Sequence, residues 1–184
     1  AFATWEDIQK LCEEAIEYET ASVCIPPCYI KRVHDTYGEK INICTVVGFP
    51  LGYSVTEAKA AETKKALEDG ASEVDMVVNI SDVKNGNYDA VQAEIAALKK
   101  ITGDKILKVI IETCYLTEEE KIAMCKAVTA AGADYIKTST GFSTAGATPE
   151  DVALMRKYSG RIKCDRADPS AFKDRSRTKS AIHS

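Results

Sequence analysis

The chain has 184 residues, 45% hydrophobic and 28% charged, which suits one globular domain with a substantial core and excludes a mainly disordered chain. Its net charge of -4 is unevenly spread: residues 161–184 hold seven Lys/Arg against three Asp, and residues 1–160 hold 17 against 25, so the acidic body argues against a general nucleic-acid or anionic-membrane role. No apolar run approaches membrane-spanning length and the opening Ala1-Phe2-Ala3-Thr4-Trp5-Glu6 carries no basic segment, so a cytoplasmic protein without signal peptide or anchor is expected.

In chain order, Thr4 followed by Asp7 resembles a capping box, and Ile8, Leu11, Cys12, Ala15 and Ile16 recur at helical spacing, so the chain opens on a helix. Ser22 to Ile25 is a short apolar run stopped by Pro26-Pro27, which reads as a strand ending in a rigid turn. A helical pattern from Tyr29 to Tyr37 closes at Gly38, and the β-branched run Ile41 to Val47 leads into Gly48-Phe49-Pro50-Leu51-Gly52 as a buried strand into a loop. Thr56 to Asp69 is a helix of good formers with Gly70 beyond it, and Glu73 to Ile80 alternates as a strand. Tyr88 to Lys100 is helical, Ile106 to Glu112 is a strand, and Thr117 with Glu120 boxes a helix that runs to Ala131 before Gly132. Ala133 to Phe142 supplies a strand and a hydroxyl-rich turn, Thr148-Pro149-Glu150 starts a helix reaching Tyr158, and Arg161 to Cys164 begins a sixth strand.

Strands and helices thus alternate at roughly 25 to 30 residues per unit, the spacing of βαβ crossovers in a parallel sheet. The strand count falls short of the eight strands and about 250 residues of a closed (β/α)8 barrel. An open doubly wound sheet accepts that count, but its Gly-rich loop after the first strand is missing, so periodicity leaves both architectures open.

In a strand covered on both faces every charged position needs a reason. Asp75 lies inside Val74-Asp75-Met76-Val77-Val78-Asn79, Lys108 and Glu112 flank Val109-Ile110-Ile111 on one parity, and Lys137 sits on the next strand beside Tyr135 and Ser139. With consecutive strands as neighbours, Asp75, Lys108 and Lys137 converge on one face while Val74, Met76, Val78, Val109, Ile111 and Ile136 face the helices. A structural ion-pair network would also account for each charge alone. Two lysines around one aspartate favour chemistry instead: a second ammonium disfavours protonation of the first, a neutral amine attacks a carbonyl, and an aspartate shuttles protons. Thr138, Ser139, Thr140 and Gly141 offer hydroxyls and backbone NH groups for a hydroxyl or phosphate, whereas Asn79 at a strand end is better placed to hold a loop than to touch substrate. The seven cysteines are odd in number and never form Cys-x-x-Cys, so they read as reduced thiols and no metal site is expected. His34 in a surface helix and His183 in the tail receive no catalytic role.

At these residues the chain resembles the deoxyribose-phosphate aldolase family, class I aldolases that cleave 2-deoxy-D-ribose 5-phosphate into D-glyceraldehyde 3-phosphate and acetaldehyde. The resemblance is carried by Thr45 to Gly52, Glu73 to Ile80, Leu107 to Thr113 and Tyr135 to Phe142, with Ala21-Ser22-Val23-Cys24, in one order over about residues 4–160. It implies a TIM barrel, no cofactor, a phosphosugar substrate, a cytoplasmic role in deoxynucleoside breakdown and a homodimer. Residue by residue, it implies Lys137 as the Schiff-base lysine, Asp75 as the proton shuttle working through a water, and Lys108 as a second lysine of the site. Thr138, Ser139, Gly141, Cys24 and Asn79 make up the substrate-binding set.

The chain also departs from the family pattern. A preceding strand with Asp-His-Thr is not present, and the strand carrying a second catalytic lysine before Ser/Ala-Gly-Gly is abandoned after Cys164. Lys163 lacks that motif and is not assigned. The expected architecture is therefore an incomplete (β/α)8 barrel, lacking the first strand and the last one to two β/α units, over residues 1–164. Residues 165–184 then form a basic tail of other origin, and most of the phosphate site is expected to be lost. Two rival readings accompany the aldolase: an inert or partner-dependent remnant, and a class I aldolase for another aldehyde.

Overall fold

Local signals define the helices. In the computed structural model, which describes residues 2–160 and 162–165, Thr4 and Asp7 exchange side-chain and backbone hydrogen bonds in a capping box that starts α1 (Trp5–Glu17). Thr117 and Glu120 do the same for α6 (Glu118–Ala130), and Thr148 caps α7 (Pro149–Tyr158) with proline in its first turn. The remaining helices are α2 (Ile30–Tyr37), α3 (Thr56–Glu68), α4 (Ile80–Lys84) and α5 (Tyr88–Thr102).

Between them run β1 (Val23–Cys24), β2 (Ile43–Val47), β3 (Glu73–Val77), β4 (Ile106–Ile110), β5 (Tyr135–Lys137) and β6 (Lys163–Asp165), paired parallel in chain order. Each strand pairs with its sequence neighbour, with Asp75 opposite Lys108, Ile110 opposite Lys137, and Lys137 opposite Asp165. The architecture is α/β, an incomplete (β/α)8 barrel, as expected.

One face of the sheet is apolar and meets the helices. Val74, Met76, Val109 and Ile136 pack with Val91, Ile95 and Leu98 of α5, Met124 and Val128 of α6, and Met155 of α7 in one core. A second core joins Ile8 and Cys12 of α1 with Val23, Ile30, Val33 and Ile43. The other parity carries Cys24, Cys44, Glu73, Asp75, Lys108, Tyr135 and Lys137, so the period-2 pleat sorts polar from apolar along every strand.

Two strands end sooner than their β-type runs predict. β3 stops at Val77 because Asn79 turns the chain into α4: its side-chain oxygen accepts from the Ser81 amide and its amide nitrogen donates to Asp82. β4 stops at Ile110, and Glu112 adopts a left-handed conformation with φ 52° and ψ 67°. After β2, Gly52 is required sterically, since a Cβ there would lie 2.0 Å from the Val78 carbonyl oxygen.

Candidate active site

The polar face brings the predicted catalytic residues together. Lys137 Nζ donates to Asp75 Oδ2 at 2.6 Å, and Lys108 Nζ lies 3.6 Å from Asp75 Oδ1 and 2.7 Å from Glu73 Oε2. The Asp75 side chain is 1% exposed, while those of Lys137 and Lys108 keep 18% and 13%, so the carboxylate forms the floor and the ammonium groups the wall. Parity on β3, β4 and β5 is enough to place all three on the same face.

The electrostatics differ from the expectation that Lys108 would depress Lys137. Burial does oppose the charge on Lys137, but Asp75 first and Asp165 next outweigh it and hold the ammonium above the ordinary lysine value. Lys108 is likewise buried yet raised, by Asp75, by Cys44 and by Glu73. The reason is a count of carboxylates. Glu73, two residues before Asp75 on the same parity, and Asp165, opposite Lys137 at 3.8 Å, were missed as members of the site. Glu73 was legible as an i, i+2 partner of Asp75; Asp165 lay where the family pattern stops.

The substrate-binding candidates divide. Ser139 is buried and its hydroxyl has no hydrogen-bond partner among the described residues, while Thr138, also buried, accepts at its carbonyl from the Thr113 amide and donates its own amide to the Asp165 carbonyl. Gly141 has φ 84°, a left-handed turn that presents the loop after β5. Glu112 holds that loop: its buried carboxylate accepts from the Thr140 amide at 3.2 Å and from Thr140 Oγ1 at 2.5 Å. Phe142 of the same loop meets Phe49 of the loop after β2 edge-to-face, with ring centroids 5.4 Å apart. Asn79 is engaged in capping α4, on the loop-holding side of its two expected roles.

Cys24 is exposed on the polar face, opposite buried Cys44 in the β1–β2 register. Cys44 Sγ lies 3.1 Å from Asp75 Oδ1 and 3.7 Å from Lys108 Nζ. The unassigned Lys163 stands on the same side, its Nζ 5.4 Å from the Tyr135 ring centroid, and Lys108 approaches that ring at 5.9 Å. The tail expected over residues 165–184 lies outside the described residues, apart from Asp165.

Comparison with known proteins identifies relatives of this chain. Residues 1–175 match the model of the DeoC/LacD family aldolases. The chain is 75% identical over 158 residues to the deoxyribose-phosphate aldolase of Clostridium botulinum (strain Alaska E43 / Type E3), covering 86% of this chain and 72% of that protein. It is 60% identical over 161 residues to the deoxyribose-phosphate aldolase of Clostridioides difficile (strain 630), covering 88% and 74%. Its fold superposes on the tetrameric deoxyribose phosphate aldolase of Aeropyrum pernix with a TM-score of 0.83 at 29% identity, over 90% of this chain and 71% of that one.

Proposed function

The chain belongs to the DeoC/LacD family of aldolases, and on that premise we propose that it cleaves 2-deoxy-D-ribose 5-phosphate to D-glyceraldehyde 3-phosphate and acetaldehyde through a Schiff base on Lys137. The observation that carries this reading is the 2.6 Å contact between Lys137 Nζ and Asp75 Oδ2 on a mostly buried polar face.

Attack on an aldehyde needs the neutral amine, and the raised Lys137 starts as the ammonium. Asp75 is the adjacent carboxylate to take that proton. The amine then adds to the C1 aldehyde, and loss of water gives a protonated imine. As the C3 hydroxyl loses its proton, the C2–C3 electron pair moves toward the imine and glyceraldehyde 3-phosphate departs. Asp75, through a water, returns a proton to the C2 carbon of the enamine, and hydrolysis frees acetaldehyde and Lys137. Lys108, held as an ammonium by Glu73 and Asp75, donates hydrogen bonds to substrate oxygens. The Ser139 hydroxyl, Thr138 and the turn at Gly141 serve the same oxygens from the β5 side, Cys24 lines the β1 side, and Asn79 fixes the loop behind Asp75.

This reading assigns the chemistry to residues 1–164 and makes the protein a cytoplasmic homodimer with a phosphosugar substrate and no cofactor. Among the described residues no helix is long and apolar enough to cross a membrane. The ion-paired Lys137–Asp75–Lys108 set supports a working enzyme over an inert remnant, because burying these charges without use is costly.

Borohydride reduction in the presence of acetaldehyde tests the nucleophile: a reduced adduct mapped to Lys137 is expected, and its absence from folded protein would restore the remnant. A coupled assay then compares deoxyribose 5-phosphate with unphosphorylated deoxyribose. A large preference for the phosphate is expected from this substrate assignment and would overturn the expectation that most of the phosphate site is lost, whereas equal turnover of both would point to an aldolase for another aldehyde.

A further inference from the structure

Beside the proposed nucleophile two thiols, neither of which the aldol cycle protonates or deprotonates, meet the carboxylate of Asp75. Cys24 Sγ, Cys44 Sγ and a carboxylate oxygen of Asp75 all fall within 4.8 Å of one another, on three adjacent strands. Zinc bonds thiolate sulfur at about 2.3 Å and carboxylate oxygen at about 2.0–2.2 Å, so tetrahedral ligand atoms stand roughly 3.3–3.8 Å apart. Cys44 Sγ and Asp75 Oδ1, at 3.1 Å, are already close to that spacing. Cys24 is exposed and gives a cation its way in, while Cys44 and Asp75 are buried and give it a floor.

The two ammonium groups are the obvious objection. Each has a second carboxylate to keep: Lys108 retains Glu73 at 2.7 Å when Asp75 is withdrawn, and Lys137 retains Asp165 at 3.8 Å. The charge also closes, since a divalent cation replaces two thiol protons and the net charge of the cluster is unchanged. Cys24 is exposed and Cys44 buried, so an entering cation meets Cys24 first.

We propose that Cys24, Cys44 and Asp75 form a binding site for a thiophilic divalent cation of the zinc–cadmium type, with solvent as the fourth ligand. No resident cofactor is implied. The cation takes Asp75 away from Lys137, so its binding blocks imine formation reversibly. Binding stands on the geometry alone; the blockade rests on the reading of Lys137 as nucleophile.

Cadmium added to the full chain under a phosphine reductant, which keeps both thiols reduced, is the first probe. A saturable ultraviolet cadmium–thiolate band and release of two protons per cation, one from each cysteine, are expected. Cys24→Ser and Cys44→Ser should each weaken binding at least tenfold. Iodoacetamide mapping on the unmodified protein covers the case of a variant that fails to fold: cadmium should protect Cys24, with exposed Cys28 as the unprotected control. Unchanged alkylation of Cys24 at saturating cadmium, or a band that survives both serine variants, overturns the site. Zinc should suppress borohydride trapping at Lys137, with recovery on adding EDTA. Binding without suppression overturns the blockade while leaving the site in place.

Discussion

At Lys137 burial and a carboxylate pull in opposite directions, and the carboxylate wins. Asp75→Asn removes the winning side. The rate of borohydride trapping at Lys137 should then reach half its maximum at lower pH than in the parent, while turnover falls by about 10²–10⁴-fold through loss of the proton shuttle. A trapping profile that stays put would break the link between the two residues. The stability consequence has the sign of a raised lysine: the ion pair contributes fully below the ordinary value of 10.5 and is lost as pH rises through the higher folded value. Denaturant midpoints measured from neutral to strongly alkaline pH should therefore fall more steeply in the parent than in Asp75→Asn. Glu112 is the other residue whose removal has a definite cost. Glu112→Ala strips Thr140 of two hydrogen bonds to a charged acceptor, each worth about 1.5–3 kcal/mol, although relaxation of the loop toward solvent returns part of it. Urea unfolding should give a loss of roughly 2–4 kcal/mol, partly restored in Glu112→Gln.

Among the elements, α3 and α5 are joined through a pair that helix propensity conceals. Lys59 reads as one more good helix former, yet it is fully buried, and its Nζ donates to the Val77 carbonyl at 2.9 Å and to Glu94 Oε2 at 2.8 Å. Lys59→Met leaves Glu94 buried without its cation and should cost about 3–5 kcal/mol by thermal or urea unfolding, whereas Lys59→Met with Glu94→Leu should recover most of that. Equal losses in both would show the pair to be unlinked. What was legible follows the same division. The capping boxes at Thr4 and Thr117 and the alternation of β3 to β5 depend on neighbours in sequence, and both could be read directly. Lys59 and the sign of the Lys137 shift depend on groups brought in from other strands and helices. The juxtaposition of Cys44 with Cys24 escaped for the same reason, since the two meet across strands rather than along a Cys-x-x-Cys spacing.

For the whole molecule, the sheet grades from the middle outward. Among the described strands, β3 and β4 lie in the middle of the sheet, β3 buried at every position and β4 at three of its five, whereas β1 has two residues and β6 three, each at an edge. Amide hydrogen exchange should be slowest in β3 and β4 and fastest in β1 and β6, with Lys137 in β5 between them. Protection at β6 equal to that at β4 would contradict the grading. The barrel class was legible from the strand–helix alternation together with the family resemblance, since the alternation alone also allowed an open sheet. The neighbour-to-neighbour strand order also bears on synthesis. A chain emerging from its N-terminus completes β3 with Asp75 and then β4 with Lys108 before Lys137 has left the ribosome, so the carboxylate meets a cation first and the nucleophile docks last, onto a neutralised floor. Nascent chains stalled after β4 has cleared the exit tunnel should already resist limited proteolysis through β3, and Asp75→Asn should leave that resistance in place; chains that become resistant only once β5 has emerged would count against vectorial assembly.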